Sequence, residues 1–187
     1  MRLSLPQIGI IVGIVSLTFF FAALILAFGL RMSATPDWQP FQVPTLLWAG
    51  TGVIALSSVA IELARRALRR ALVTVYRTRL LATMLLAVTF IAIQTISALD
   101  LIGQGVAAAA NPRGSAFYAF MTIHAAHLFG GMIWLAFLWK HSATLFAGTE
   151  SDLRNQRRNL SAAALFWHFL GILWLVLFFF LRRWAER

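Results

Sequence analysis

Five long apolar runs constrain this chain of 187 residues more than any other feature of its sequence. A helix needs about 20 consecutive, mainly apolar residues to cross the hydrocarbon layer of a bilayer. We expect transmembrane helices over residues 8–30, 44–64, 80–102, 115–139 and 160–181. The predicted fold class is therefore an all-α membrane protein with five transmembrane helices.

The composition and the connecting segments indicate a single membrane domain over residues 1–187. Apolar residues make up 60% of the chain, more than a soluble domain of this length buries in one core. The first run is too long for the apolar part of a signal peptide, so we expect it to remain as a span. The polar connections, the longest over residues 140–159, are too short to form a second domain.

The basic residues predict the orientation of the chain in the membrane. The formal net charge is +10, and the arginines lie mainly at the edges of the apolar runs, where they meet water or lipid head groups. With the N-terminus in the cytoplasm, the inner side collects eleven Lys and Arg and the outer side five. The positive-inside rule therefore predicts a cytoplasmic N-terminus and an external C-terminus.

Six of these arginines form what we call the arginine cluster, between the second and third runs. Clustered arginines next to a span attract anionic lipid, each at about 1 kcal/mol. The candidates for lipid head-group binding are Arg65, Arg66, Arg69, Arg70, Arg77 and Arg79. Glu62 precedes two of them by three and four residues, a spacing that predicts an ion pair along one helix face.

Three histidines lie inside the predicted spans, where an unsatisfied polar group is costly. His124 and His127 are three residues apart and share a helix face, and His168 lies at a similar depth on the next span. In the favoured interpretation each ring is hydrogen-bonded to a polar group of a neighbouring helix and braces the bundle. The alternative interpretations are ligation of a b-type haem by two of these rings, or a quinone or proton-relay role.

The remaining chemistry of the sequence predicts no catalytic centre. The absence of cysteine from the sequence excludes disulfides, iron–sulfur clusters and thiolate-bound copper. We also find no phosphate-binding loop, nucleophile elbow or metal motif. We therefore predict no catalytic residue, no metal ligand and no cofactor in this chain.

Three segments resemble subunit III of the haem–copper terminal oxidases. "FYAFMTIHAAHLFGGMIWL" is similar to the family's histidine-bearing helix, T-G-x-H-x-x-H-V-x-x-G, and "ALFWHFLGILWLVLF" to its last helix, Y-W-H-F-V-D-x-x-W. "GVIALSSVAIELARRAL" resembles an earlier serine-rich helix. The matching positions are His124, His127, Gly131, Trp167, His168, Phe169, Trp174, Ser57, Ser58, Ala64 and Leu68.

The resemblance implies a function and a set of partners. It implies the short five-helix bacterial form of a non-catalytic subunit of a cytochrome c or quinol oxidase, in the aerobic respiratory chain of the bacterial inner membrane. Such a subunit stabilises catalytic subunit I, associates with subunit II and binds phospholipid, while haem and copper reside in its partners. The alternatives are a subunit III-like component of a nitric oxide reductase, or an independent b-type haem or quinone protein.

The resemblance also assigns structural roles and reveals departures from the family pattern. The predicted structural and interhelical polar residues are His124, His127, Trp167, His168, Ser57, Ser58 and Glu62. Three positions that carry acids in the family hold neutral residues here, namely Leu17, Ser97 and Gly171. A proton-collecting role that depends on the family's membrane glutamate is not expected.

Overall fold

The computed structural model describes residues 5–34, 41–106, 112–146 and 148–185. The helices are α1 (Leu5–Ala34), α2 (Leu46–Arg69), α3 (Val73–Gly103), α4 (Pro112–His141) and α5 (Glu150–Ala185), with a 3-10 helix (Ser142–Phe146) between α4 and α5. All five α-helices are long and apolar enough to cross a membrane. The predicted class, an all-helical protein with five spans, is confirmed. Two arginines used to predict the orientation, Arg2 and Arg187, lie outside the described residues.

Helix α5 occupies the centre of the bundle, because it packs against α1, α2 and α4. α2 and α3 form the most extensive pairwise contact, as two antiparallel helices joined by a short turn. Among the described helices, α1 packs against α4 and α5, and it exposes most of its apolar side chains. Exposed apolar side chains are normal in a helix bundle whose surroundings are lipid, since lipid tails solvate them as well as a protein core does.

Helix α3 buries one stripe of residues, spaced alternately by four and three positions. This spacing keeps the stripe on one helix face. The stripe consists of Tyr76, Leu80, Thr83, Ala87, Phe90, Gln94, Ser97 and Leu101. It therefore brings hydroxyl and amide groups, as well as apolar side chains, into the interior of the bundle.

Two helices begin well before their predicted spans. α3 begins at Val73 instead of residue 80. Residues 73–79 contain no Pro or Gly, and the buried Tyr76, which accepts a hydrogen bond from Gln156 of α5, anchors this first part of the helix. α5 begins at Glu150, so the second half of the predicted polar connection over residues 140–159 is helical. The carboxylate of Asp152 accepts a hydrogen bond of 2.8 Å from the backbone N–H of Thr149 and so caps the start of α5.

The turns after α2 and α3 share one hydrogen-bonding pattern. After α2, the N–H of Leu72 donates to the carbonyl of Ala67 at 3.0 Å, and Ala71 has a positive φ of 56°. After α3, the N–H of Val106 donates to the carbonyl of Leu101 at 3.0 Å, with Gly105 at a φ of 81°. Both turns are Schellman motifs, which end a helix with one residue in the left-handed conformation.

Contacts between the helices place two basic segments at the same end of the bundle. Arg157, near the start of α5, donates hydrogen bonds of 3.2 and 3.3 Å to the carbonyls of Leu68 and Arg69 at the end of α2. Arg77, near the start of α3, donates to the hydroxyl of Ser142 at 2.9 Å. We call this the basic end, and the end that holds the α3–α4 connection the opposite end.

Candidate functional site

Trp167 links four helices near the middle of the bundle. Its indole N–H donates a hydrogen bond to the Ser57 hydroxyl at 3.0 Å, and that hydroxyl donates to the backbone carbonyl of Thr83 at 3.2 Å. A Cβ added to Gly131 would lie 3.1 Å from Cζ3 of the same ring, so α4 approaches α5 closely there. Trp167 and Ser57 are fully buried, and their mutual bond offsets the cost of removing both polar groups from water.

Trp174 makes a second indole contact two turns further along α5. Its N–H donates to the Thr51 hydroxyl of α2 at 3.1 Å, and that hydroxyl also donates to the carbonyl of Leu47 at 3.0 Å. Sequence reasoning matched Trp174 to the family pattern but did not identify Thr51. The sequence contains a pattern that could have indicated this contact. Two tryptophans seven residues apart share a helix face, and the facing helix carries hydroxyl residues at similar spacing.

His124 is fully buried among aromatic rings. The centroid of its ring lies 6.2 Å from that of Phe90 in α3 and 5.6 Å from that of Trp174 in α5. Within the part of the chain that the structure describes, neither ring nitrogen has a hydrogen-bonding partner. The predicted hydrogen bond to a neighbouring helix is therefore not found, and aromatic packing holds the ring in its place.

His127 lies one turn further along α4 and packs against α1. Its Nδ1 lies 2.7 Å from the backbone carbonyl of Ile123, four residues earlier in the same helix, and its ring centroid lies 5.8 Å from that of Phe21. The predicted hydrogen bond to another helix is replaced by this local one. This carbonyl, one turn earlier in α4, lies within hydrogen-bonding distance of the ring and takes the place of an acceptor on another helix.

His168 lies in a groove between α2 and α5. The groove has two adjoining parts of about 410 and 310 Å³, and the side chains of Ser58 and His168 line both. The larger part is otherwise mainly apolar, and a Cβ added to Gly171 in its wall would lie 3.4 Å from the Ser58 hydroxyl oxygen. The smaller part ends at Glu62 and Arg66. An elongated ligand with an apolar tail and a charged head matches this arrangement.

Glu62 forms the ion pair that its spacing predicts. Its Oε2 lies 2.6 Å from Nη1 of Arg65, and its Oε1 lies 3.8 Å from Nε of Arg66. Both carboxylate and guanidinium groups are partly exposed, so the pair contributes little to stability. Its main effect is to engage the guanidinium of Arg65 within the protein.

Two further members of the arginine cluster are also engaged within the protein. The guanidinium of Arg77, already bonded to Ser142, lies 4.6 Å from the centroid of the Trp139 ring. Arg79 donates to the carbonyl of Leu63 at 2.9 Å. Exposed members of the cluster without such contacts to described residues are Arg69 and Arg70, and Arg66 is exposed beside Glu62.

The histidines do not converge on a metal or haem position. Over the described ranges, no group of three or more His, Asp or Glu side chains is placed to hold a metal ion. His127 packs against Phe21 of α1, whereas His168 lies in the α2–α5 groove. Haem held between two histidines needs both rings to point into one space. The contacts of these two rings do not support that arrangement.

Sequence reasoning missed a polar junction at the basic end. The amide nitrogen of Gln156 in α5 donates to the Tyr76 hydroxyl of α3 at 3.0 Å and to the carbonyl of Leu138 in α4 at 2.8 Å. Gln156 and Tyr76 are both buried. Both lie in segments predicted as connections between spans, so no interior role was expected of them. The junction ties α3, α4 and α5 together.

Comparison with known proteins decides the family. A model of the family described as "Cytochrome c oxidase subunit III" matches residues 4–186, which is nearly the whole chain. The chain belongs to this family. The resemblance found in the sequence is therefore confirmed, and the protein is a subunit III of the haem–copper oxidases.

Three relatives of this subunit III show the range of the match. A probable cytochrome c oxidase subunit 3 from Mycobacterium tuberculosis is 27% identical over 181 residues, covering 95% of this chain and 87% of the relative. Cytochrome c oxidase subunit 3 from Artemia franciscana is 27% identical over 187 residues, covering 95% and 68%. Cytochrome bo(3) ubiquinol oxidase subunit 3 from Pseudomonas putida is 31% identical over 103 residues, covering 53% and 45%.

The three neutral residues that replace family acids lie in three different environments. Leu17 packs at the edge of the core on α1. Ser97 is buried in α3, and its hydroxyl has no hydrogen-bonding partner among the described residues. Gly171 lines the α2–α5 groove beside Ser58. At all three positions this subunit III presents no ionisable group.

Proposed function

We propose that this subunit III associates with subunits I and II of its oxidase, stabilises catalytic subunit I and contributes no redox centre of its own. The observation that carries the proposal is the family match over residues 4–186. The junction at Trp167 supports it physically, because a buried α5 side chain that contacts α2 and α4 directly, and α3 through Ser57, gives the bundle a fixed shape. A fixed shape allows one helix face to match the surface of a large partner.

We further propose that the protein is a single domain of the bacterial inner membrane with its N-terminus in the cytoplasm. The bonds from Arg157 to the end of α2 support this orientation. They place the arginine cluster and the basic start of α5 at one end of the bundle. The positive-inside rule then assigns that end to the cytoplasm.

We also propose that a phospholipid occupies the α2–α5 groove. The apolar larger part fits an acyl chain, and the smaller part leads to the end of α2, where Arg66, Arg69 and Arg70 are exposed. Each exposed arginine at the membrane surface attracts an anionic head group by about 1 kcal/mol. In this proposal Ser58 and His168 lie beside the part of the acyl chain that is nearest to the head group.

Affinity purification tests the partnership. The chain carries a tag, is extracted with a mild detergent that preserves lipid, and is recovered on a resin. We expect a haem-bearing protein with many helices to be recovered with it, together with oxygen-reducing activity. A membrane protein of similar size with the same tag serves as the control. Recovery of this chain alone would overturn the proposal.

The same preparation tests the absence of a redox centre. After the partners are dissociated and the tagged chain is isolated, we expect no Soret absorbance. Stoichiometric haem that disappears in a His127→Ala variant would instead support an independent b-type haem protein.

Lipid analysis of the purified complex tests the groove. Loss of two charges in an Arg69→Ala, Arg70→Ala double variant should lower the amount of anionic phospholipid that is recovered. An Arg154→Ala, Arg158→Ala double variant removes the same charge from exposed positions near the start of α5, so it is the matched control. Equal losses in both variants would show that net charge, and not the groove, retains the lipid.

A further inference from the structure

Three polar side chains between α3 and α4 are buried without a hydrogen-bonding partner among the described residues. Gln94 and Ser97 of α3 are 4% and 1% exposed, and His124 of α4 is 0% exposed. The unpartnered atoms, counted against the described residues, are the amide nitrogen and oxygen of Gln94, the hydroxyl of Ser97 and both ring nitrogens of His124. A buried polar atom without a hydrogen bond costs about 1–3 kcal/mol. Five such atoms in three residues need an explanation.

The contacts of α3 with α4 place the three residues at neighbouring levels. Phe90 belongs to the same buried stripe as Gln94 and Ser97, and its ring lies 6.2 Å from that of His124. Closer to the opposite end, the Tyr118 hydroxyl of α4 donates to the carbonyl of Ala98 at 3.3 Å. Because the helices are antiparallel, Gln94 lies about one turn from the level of His124.

The directions of the side chains bring them closer together. Side chains in a helix lean toward the N-terminus of that helix. α3 begins at the basic end and α4 at the opposite end. Gln94 therefore leans toward the basic end and His124 toward the opposite end. The two side chains therefore lean toward each other's level.

The donors of the neighbouring aromatic side chains are already engaged elsewhere. The indole N–H of Trp174, whose ring packs on His124, already donates to Thr51. The Tyr118 hydroxyl already donates to backbone carbonyls, including that of Val106 at 2.9 Å. Phe90 offers no hydrogen-bonding group. Among the described residues, these neighbours therefore form no hydrogen bond to Gln94, Ser97 or His124.

We propose that Gln94, Ser97 and His124 form a buried hydration site, in which ordered water bridges α3 and α4. A buried water makes about three hydrogen bonds to polar groups that are otherwise unsatisfied, and this cluster supplies both donors and acceptors. The bridge explains how His124 connects two helices although it bonds directly to neither. The inference does not rest on the proposed partners, because the site lies within this chain.

Solid-state NMR of the intact complex in lipid tests this site. Magnetisation is transferred from water protons to ¹⁵N-labelled histidine rings, and the His124 signal is identified by its loss in a His124→Phe variant. We expect the His124 ring to receive magnetisation from water despite its burial. Exposed His141 is the positive control. In a second sample, labelled with ¹⁵N in glutamine side chains, the amide of Gln156, which is buried with protein partners, is the negative one.

A Gln94→Leu variant tests the bridge itself, with Thr95→Val as the matched control on the exposed side of α3. We expect the transfer to His124 to disappear in the first variant and to persist in the second. A dry His124 ring, or transfer that survives Gln94→Leu, would overturn the proposal. If a variant fails to assemble, density maps of the unmodified complex decide: water density between the side chains supports the site, and a direct bond between Gln94 and His124 refutes it.

Discussion

At the basic end of this subunit III, the buried Gln156 bonds to neighbouring helices, whereas Gln94, Ser97 and His124, between α3 and α4 in the opposite half, bond to no described residue through their side chains. Gln156 joins three helices through Tyr76 and the Leu138 carbonyl. Gln94, equally buried, has no partner among the residues that the structure describes. The difference teaches that the same residue type serves two purposes in one bundle. One glutamine fixes helix positions directly, and the other lines a polar space.

The largest effect should come from removing the indole that lies between these two halves. A Trp167→Ala variant opens a cavity at the contact of four helices and removes the N–H that bonds Ser57, so we expect a loss of about 3–5 kcal/mol in stability. Trp48→Ala, at a tryptophan that is 47% exposed, is the control and should cost far less. Thermal denaturation of the complex in lipid nanodiscs measures both. Equal losses would contradict the central role of Trp167.

A matched pair of glutamine variants tests the comparison itself. Gln156→Leu leaves two buried acceptors without their donor, and we expect it to lower stability by about 2 kcal/mol. Gln94→Leu should cost clearly less, because water around Ser97 and His124 can rearrange. The same denaturation experiment applies. A larger loss for Gln94→Leu would show that the two halves do not differ as described.

Removal of the Arg157 side chain, at the basic end, should have a smaller effect on stability. Its guanidinium bonds to two carbonyls at the end of α2, so Arg157→Ala should cost about 1 kcal/mol and loosen the α2–α3 turn. Hydrogen exchange at the amides of residues 70–72 measures the loosening. Arg158→Ala, at the exposed neighbouring position, is the control. Unchanged exchange in Arg157→Ala would show that the turn holds without this contact.

Variants in the two Schellman turns should have the smallest effects on stability, and the two effects should have opposite signs. Ala71 has a left-handed backbone that glycine adopts more readily, so Ala71→Gly should stabilise the protein by up to about 1 kcal/mol. Gly105→Ala should destabilise it by a similar amount. A Cβ at Gly105 meets no atom within 4 Å, so sterics do not complicate the result. Changes of the same sign in both melting temperatures would contradict the assignment of these turns.

The sequence was sufficient to predict the helices but not the ends of all of them. Apolar runs identify the five spans because the bilayer sets a minimum length. The early start of α5 was missed because Glu150 to Arg158 is polar, and polarity indicates where a helix leaves lipid, not where it begins. Helix propensity and the Asp152 cap determine the start.

The sequence predicts which residues belong to the candidate site better than it predicts their contacts. Trp167 and Ser57 were both named as structural polar residues, but their mutual bond depends on how α2 and α5 pack. His127 was expected to bond across helices, yet a local carbonyl lies closer. Whether a side chain bonds to a local or to a distant partner depends on small differences in distance. The spacing of residues along the chain does not reveal these differences.

High-resolution cryo-electron microscopy of the oxidase complex, purified from its native membrane through this chain, tests the central claim most directly. We predict that residues 4–186 form five helices beside a larger haem-bearing subunit, with every iron and copper atom in the partners. We predict no metal bonded to His124, His127 or His168. Iron coordinated by any of these rings, or particles that contain this chain without a larger partner, would contradict the account.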